Sequence, residues 1–174
     1  PLPGHPERSE GPLSFKITEE QIRAGVARAT WPGRYEVAAD HGPRVILDGA
    51  HSPASAHALA DALRDDDSVP AVVVLGLLGD KDAGAIGSAL AAIADRFVVT
   101  APRSPRAAPA ATVAGRLASL DLPVQTAPGV AEAIAVATAE TGQAGTVVVT
   151  GSLSTVAEAR EAFGLAVSDP PVGD

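Results

Sequence analysis

No cysteine occurs in the chain, which excludes disulfides and thiolate metal sites. Aromatic residues are scarce, at 3%, so the core has to be built from Ala, Val, Leu and Ile. Small side chains of that kind imply close packing of helices on a sheet. No Lys/Arg-rich run appears and the formal net charge is −8, which argues against nucleic acid as a partner. No apolar run approaches the roughly 18 residues that span a bilayer, and nothing near Pro1 has the pattern of a signal peptide. A soluble cytoplasmic protein is the expectation. Two further absences concern chemistry. The chain has no G-x-x-x-x-G-K-[ST] and no G-x-G-x-x-G opening its first helix, so it carries no standard nucleotide phosphate loop.

What is present suits one domain of ordinary size: 174 residues with 46% hydrophobic content. Residues 1–16, rich in Pro and Gly at the start, read as a tail or linker. Residues 17–168 read as the folded domain, and 169–174 as a frayed tail. A helical signal runs over 15–29, with Thr18 as N-cap, Gln21 in the first turn, and Ile22 and Val26 four apart. Trp31-Pro32-Gly33 stops it.

From residue 34 a regular alternation begins. Apolar runs of strand length lie at 44–48, 71–76, 96–100 and 146–150, with a weaker one at 122–126. They show little polar alternation, which is how strands covered on both faces read. Helical segments are predicted at 53–65, 83–94, 108–120, 129–141 and 153–163, with an edge strand at 35–39. This pattern predicts an α/β fold, a three-layer Rossmann-like sandwich with a mostly parallel sheet and helices on both faces.

In such sheets ligands bind at the carboxyl ends of the strands. The unusual residues cluster there. Asp48-Gly49-Ala50-His51-Ser52-Pro53 follows one strand, and Gly76 through Gly79-Asp80-Lys81-Asp82 follows the next. Arg103-Ser104-Pro105-Arg106 follows the third, and Gly151-Ser152 the last. The opposite strand ends are blander. Each stretch also has a plain structural reading. Ser52-Pro53 reads as a helix cap, Asp48 as a turn residue and His51 as an exposed side chain. Lys81 reads as part of a solvated charge cluster, and Ser152 as an N-cap. His57 lies six residues from His51, off the spacing of helical zinc motifs, so no metal site is expected.

Taken in order, Trp31-Pro32-Gly33-Arg34, Asp48-Gly49-Ala50-His51 with Pro53, Gly76 with Asp80-Lys81-Asp82, Ser104-Pro105-Arg106-Ala107 and Gly151-Ser152-Leu153 form a pattern. It resembles the C-terminal domain of folylpolyglutamate/dihydrofolate synthases in the Mur ligase family, over about residues 17–165. The resemblance implies an ATP-dependent amide-forming ligase that phosphorylates a folate or dihydropteroate carboxylate and joins L-glutamate to it. It implies that Arg34 contacts ATP phosphates and is catalytic, that Asp48 lies near the nucleotide, and that His51 is catalytic on the glutamate side. It places Lys81 and Ser152 as substrate-binding residues for glutamate. ATP and Mg would be used by the full-length enzyme, with the P-loop and metal ligands on an N-terminal partner domain. This chain alone is expected to bind no cofactor and to be incompetent. The roles of Asp80, Asp82 and Arg106 stay open. The family motif has Asn where Ser52 stands, so an amide contact is lost while the cap is kept. Two alternatives remain: a free-standing Rossmann-like binding module without catalysis, and the C-terminal domain of a cell-wall Mur ligase.

Overall fold

A computed structural model describes residues 17–165. The expected tails, with residues 166–168 of the expected domain, lie outside that span. The chain divides between Thr30 and Trp31 into two compact units. The first holds helix α1, Glu19–Arg28, opened by a capping box in which Thr18 and Gln21 bond each other's backbone N–H. None of its residues is buried.

Among the described residues the second unit carries a six-stranded sheet and five α-helices. In chain order these are β1 (Glu36–Ala39), β2 (Arg44–Leu47), α2 (Pro53–Asp65), β3 (Ala71–Gly76), α3 (Ala83–Ala91), β4 (Ala94–Thr100), α4 (Ala110–Leu117), β5 (Val124–Thr126), α5 (Val130–Thr141), β6 (Thr146–Thr150) and α6 (Leu153–Ala162). The strand order is β1-β2-β6-β3-β4-β5. Every pairing is parallel except β1 with β2, so the predicted edge strand exists and runs against its neighbour.

Alternation along each strand separates two cores. Ile46, Val73, Leu75, Phe97, Val99 and Val148 face α2, α3 and α4, where Leu59, Leu63, Leu90 and Leu117 meet them. Val45, Leu47, Val72, Val74, Val98 and Val149 face α5 and α6, which present Val130, Ala133, Ala137, Val156 and Ala159. With helices over both faces, all six residues of β3 are buried, which explains its unbroken apolar run. Ala133 and Ala137 let α5 lie close on the valine surface, as the Ala-rich composition implied. Among the described residues no helix is long and apolar enough to cross a membrane.

This topology dictates where a ligand edge can form. β2 and β6 are neighbours, yet the helices that follow them, α2 and α6, cover opposite faces. Their loops diverge at the carboxyl ends, which is the switch point where open α/β sheets bind ligands.

Candidate functional site

The carboxyl ends of β2, β6 and β3 are joined by hydrogen bonds to backbone carbonyls. Ala50 O accepts from Gly151 N–H at 2.9 Å and from the Thr150 hydroxyl at 3.2 Å. Gly76 O accepts from the Thr155 hydroxyl at 2.9 Å. Gly76 has no room for a Cβ, which would stand 2.4 Å from that hydroxyl oxygen. The loops bearing the candidate residues therefore start from one rigid seam.

On the β2 side, a cleft of about 280 Å³ is lined by Arg34, Tyr35, Asp48, His51, Ser55 and Leu59, among others. Asp48 uses both carboxylate oxygens on backbone. Oδ1 accepts from Ala50 N–H at 2.8 Å, and Oδ2 from Tyr35 N–H at 2.9 Å. The second bond holds Tyr35 in a left-handed conformation, φ 46°, a state that costs a non-glycine residue about 1 kcal/mol or more. The Tyr35 side chain is tied down as well, donating to Asp66 at 2.8 Å. Burial, then this hydrogen bond, raises the Tyr35 hydroxyl above its ordinary 10.0. The same bond is the main reason the Asp66 carboxyl falls below its ordinary 3.8.

Gly33 donates to Glu36 at 2.7 Å and accepts from Gly49 N–H at 2.8 Å, and Glu36 is in turn paired with Arg160. Arg34 is thus an exposed cation whose two chain neighbours are both pinned. His51 is exposed, and its Nδ1 lies 2.7 Å from Gly49 O. In the neutral ring that contact makes Nδ1 the donor and leaves Nε2 as an acceptor. Ser52 and Ser55 form a capping box at α2, so Ser52 serves as the helix cap.

Lys81 does not line this cleft. It belongs to a second one, of about 480 Å³, with Gly79, Asp82, Gly84, Thr112 and Arg116. Asp80 sits between two cations, 3.0 Å from Lys81 Nζ and 3.3 Å from Arg106. The hydrogen bond from Lys81, with the charges of Lys81 and Arg106, holds the Asp80 carboxyl below its ordinary 3.8. Asp82 caps α3 through Ala85 N–H. The Lys81 and Arg106 loops are zipped by a short antiparallel bridge between Leu78 and Ala107. Asp80, Asp82 and Arg106, open in the sequence, therefore have positions: Asp80 pairs with both Lys81 and Arg106, and Asp82 caps α3.

Ser152 lies between the loops that follow β2 and β3, but its side chain turns inward. It is 2% exposed and its Oγ accepts from Thr155 N–H at 3.1 Å, capping α6. What the edge presents there is the first turn of α6 rather than a hydroxyl. Arg116 was missed by sequence reasoning. It lies on the last turn of α4, and the only signal for it was the four-residue spacing to Thr112 on one helix face. Among the described residues no group of three or more His, Cys, Asp or Glu side chains is placed to hold a metal ion.

Fold and edge together define a doubly wound α/β domain that presents cationic side chains along the edge formed by the carboxyl ends of its parallel strands. The family model described as "Mur ligase, glutamate ligase domain" matches residues 33–153, and the chain belongs to that family. The dihydrofolate synthase/folylpolyglutamate synthase of Mycobacterium tuberculosis is 38% identical over 166 residues, covering 86% of this chain and 34% of that protein. The folylpolyglutamate synthase of the same organism, solved with ADP and AMPPCP, superposes with a TM-score of 0.79 at 36% identity over 87% of this chain and 36% of that one. A bifunctional folylpolyglutamate synthase/dihydrofolate synthase with Mn, AMPPNP and L-glutamate bound gives 0.75 at 30% identity, over 87% of this chain and 36% of that one. The chain spans about a third of the length of these relatives.

Proposed function

We propose that this chain is the C-terminal, glutamate-binding domain of an ATP-dependent folylpolyglutamate/dihydrofolate synthase. The observation that carries this reading is Arg34, on a backbone bend pinned by Asp48, beside His51 at the switch point of a Mur ligase domain. The solved relatives with nucleotide and L-glutamate support it.

In this reading a folate or dihydropteroate carboxylate oxygen attacks the γ-phosphorus of ATP and ADP leaves. The amine of L-glutamate then attacks the acyl carbon, phosphate leaves, and the amine's proton passes to a base. Arg34 stabilises the charge that builds on the transferring phosphoryl group, and its fixed neighbours lower the reorganisation needed. Asp48 lies near the nucleotide and holds the Arg34 bend through Tyr35. His51 Nε2 is the acceptor that orients the glutamate amine and takes its proton. Lys81, kept beside Asp80, holds a glutamate carboxylate, and Ser152 fixes the α6 terminus that faces it. The P-loop and magnesium ligands belong to the rest of the full-length protein, and no step on this chain is assigned to a metal.

The test is product formation by the full-length protein given ATP, dihydropteroate or a folate, and L-glutamate. Mass spectrometry should show one or more added glutamyl groups, with ADP release that depends on glutamate. ATP turnover indifferent to glutamate, or a product carrying another amino acid, would overturn the reading. Within it, His51→Ala is expected to raise the KM for glutamate about tenfold, the low end of losing a hydrogen bond to a charged group. An unaltered glutamate dependence would remove His51 from its role.

A further inference from the structure

Trp31 is the only tryptophan of the chain, and it is 73% exposed. Stopping a helix does not require a tryptophan, since Pro32 and Gly33 do that alone, and the local chemistry gives the ring a further contact. Trp31-Pro32-Gly33-Arg34 is a tight turn: Trp31 O accepts from Arg34 N–H at 3.1 Å, Pro32 supplies the fixed φ at the second position, and Gly33 has φ 72° at the third. Such a turn sets its first and fourth residues side by side. The Arg34 guanidinium carbon accordingly lies 5.9 Å from the centroid of the Trp31 ring, within cation–π range.

Arg34's backbone is held by Gly33, Tyr35 and Asp48, but none of those contacts reaches its guanidinium. An arginine side chain has many rotamers, and freezing them in the transition state costs entropy. A ring face under the guanidinium selects the rotamers that stay near the turn. The ring attracts the cation without using any of its N–H donors, so all five remain for an anion.

We infer that Trp31 is a positioning residue, whose indole face holds the Arg34 guanidinium ready for the phosphate groups of the nucleotide. This rests on Arg34 being the phosphate-contacting cation, and the experiment separates the two. In the full-length protein, Trp31→Leu, which keeps apolar bulk but lacks a π-face, lowers kcat about tenfold with little change in the KM for glutamate. Trp31→Phe restores most of that loss. In an Arg34→Ala background, Trp31→Leu has no further effect, because the group it positions is gone. In the 174-residue chain, Arg34→Ala changes the emission of the lone tryptophan while far-UV circular dichroism is unchanged.

Two failures are distinguishable. If Arg34→Ala leaves kcat unchanged, the phosphate role of Arg34 falls and this inference falls with it. If Arg34→Ala is slow but Trp31→Leu is not, or if the two losses simply multiply, Arg34 keeps its role and the positioning role of Trp31 is overturned. Equal activity of the Leu and Phe variants overturns it too, since bulk alone would then suffice.

Discussion

Arg34→Ala in the full-length protein is expected to lower kcat by about a hundredfold to a thousandfold, the range seen when one fixed donor is taken from a developing charge. Tm should barely move. The guanidinium is exposed, and the bend around it is held by bonds to Tyr35 N–H, Gly33 N–H and Gly33 O that the substitution leaves in place. Arg34→Lys should recover only part of the rate, because an ammonium offers a point charge in place of a planar fork. Steady-state kinetics with thermal melts of the same samples check both halves. A normal kcat would remove Arg34 from the chemistry. A collapsed Tm would make it a structural residue.

The second large effect is on stability. Gly151 has φ 108°, and a Cβ there would stand 2.6 Å from Gly76 O and 2.9 Å from Leu75 Cδ1. The neighbour is backbone of a central strand and cannot step aside cheaply. Gly151→Ala therefore combines a backbone conformation that side chains avoid with overpacking at the β6–β3 seam, about 3 kcal/mol or more in total. Urea denaturation should show a lower midpoint with an unchanged slope, the product of slope and midpoint shift giving a loss of that size. Because Gly151 N–H also bonds Ala50 O, the loop that carries His51 should loosen with it. A loss below about 0.5 kcal/mol, the size of an ordinary surface change, would mean that the strand ends are not welded as described.

The parts of the fold legible in the sequence were those with a single local cause. α2 was predicted over its full observed span because Ser52 and Pro53 mark its start and Leu59, Ala60 and Leu63 repeat on one face. The buried strands showed as Val/Ile/Leu runs because helices cover both sides. Boundaries slipped where a helix runs almost directly into a strand: the run expected at 96–100 begins at Ala94, and α3, expected to reach 94, ends at Ala91. Strand order was not legible, since periodicity says that β6 is buried but not that it inserts between β2 and β3.

The site shows the same division. Arg34, Asp48 and His51 line one cleft. Which strand ends gather charged and hydroxyl-bearing residues could be read from residue types. That Lys81 lines a different cleft from Arg34, Asp48 and His51 could not, because it depends on how the loops after β2 and β3 are placed along the edge. Ser152 looked like a hydroxyl on offer, yet the hydrogen bond that makes it a good cap turns it inward. Trp31 read only as a helix stop because the turn that pairs it with Arg34 depends on φ at Gly33.

Hydrogen exchange of the full-length protein, with and without a non-hydrolysable ATP analogue and L-glutamate, tests most directly whether ligands meet the carboxyl edge of this sheet. Slowed exchange is predicted at residues 31–35, 49–52 and 79–82, with the opposite edge around 67–70, 121–123 and 142–145 unaffected. Protection confined to that opposite edge, or absent from all three predicted segments, would contradict the account.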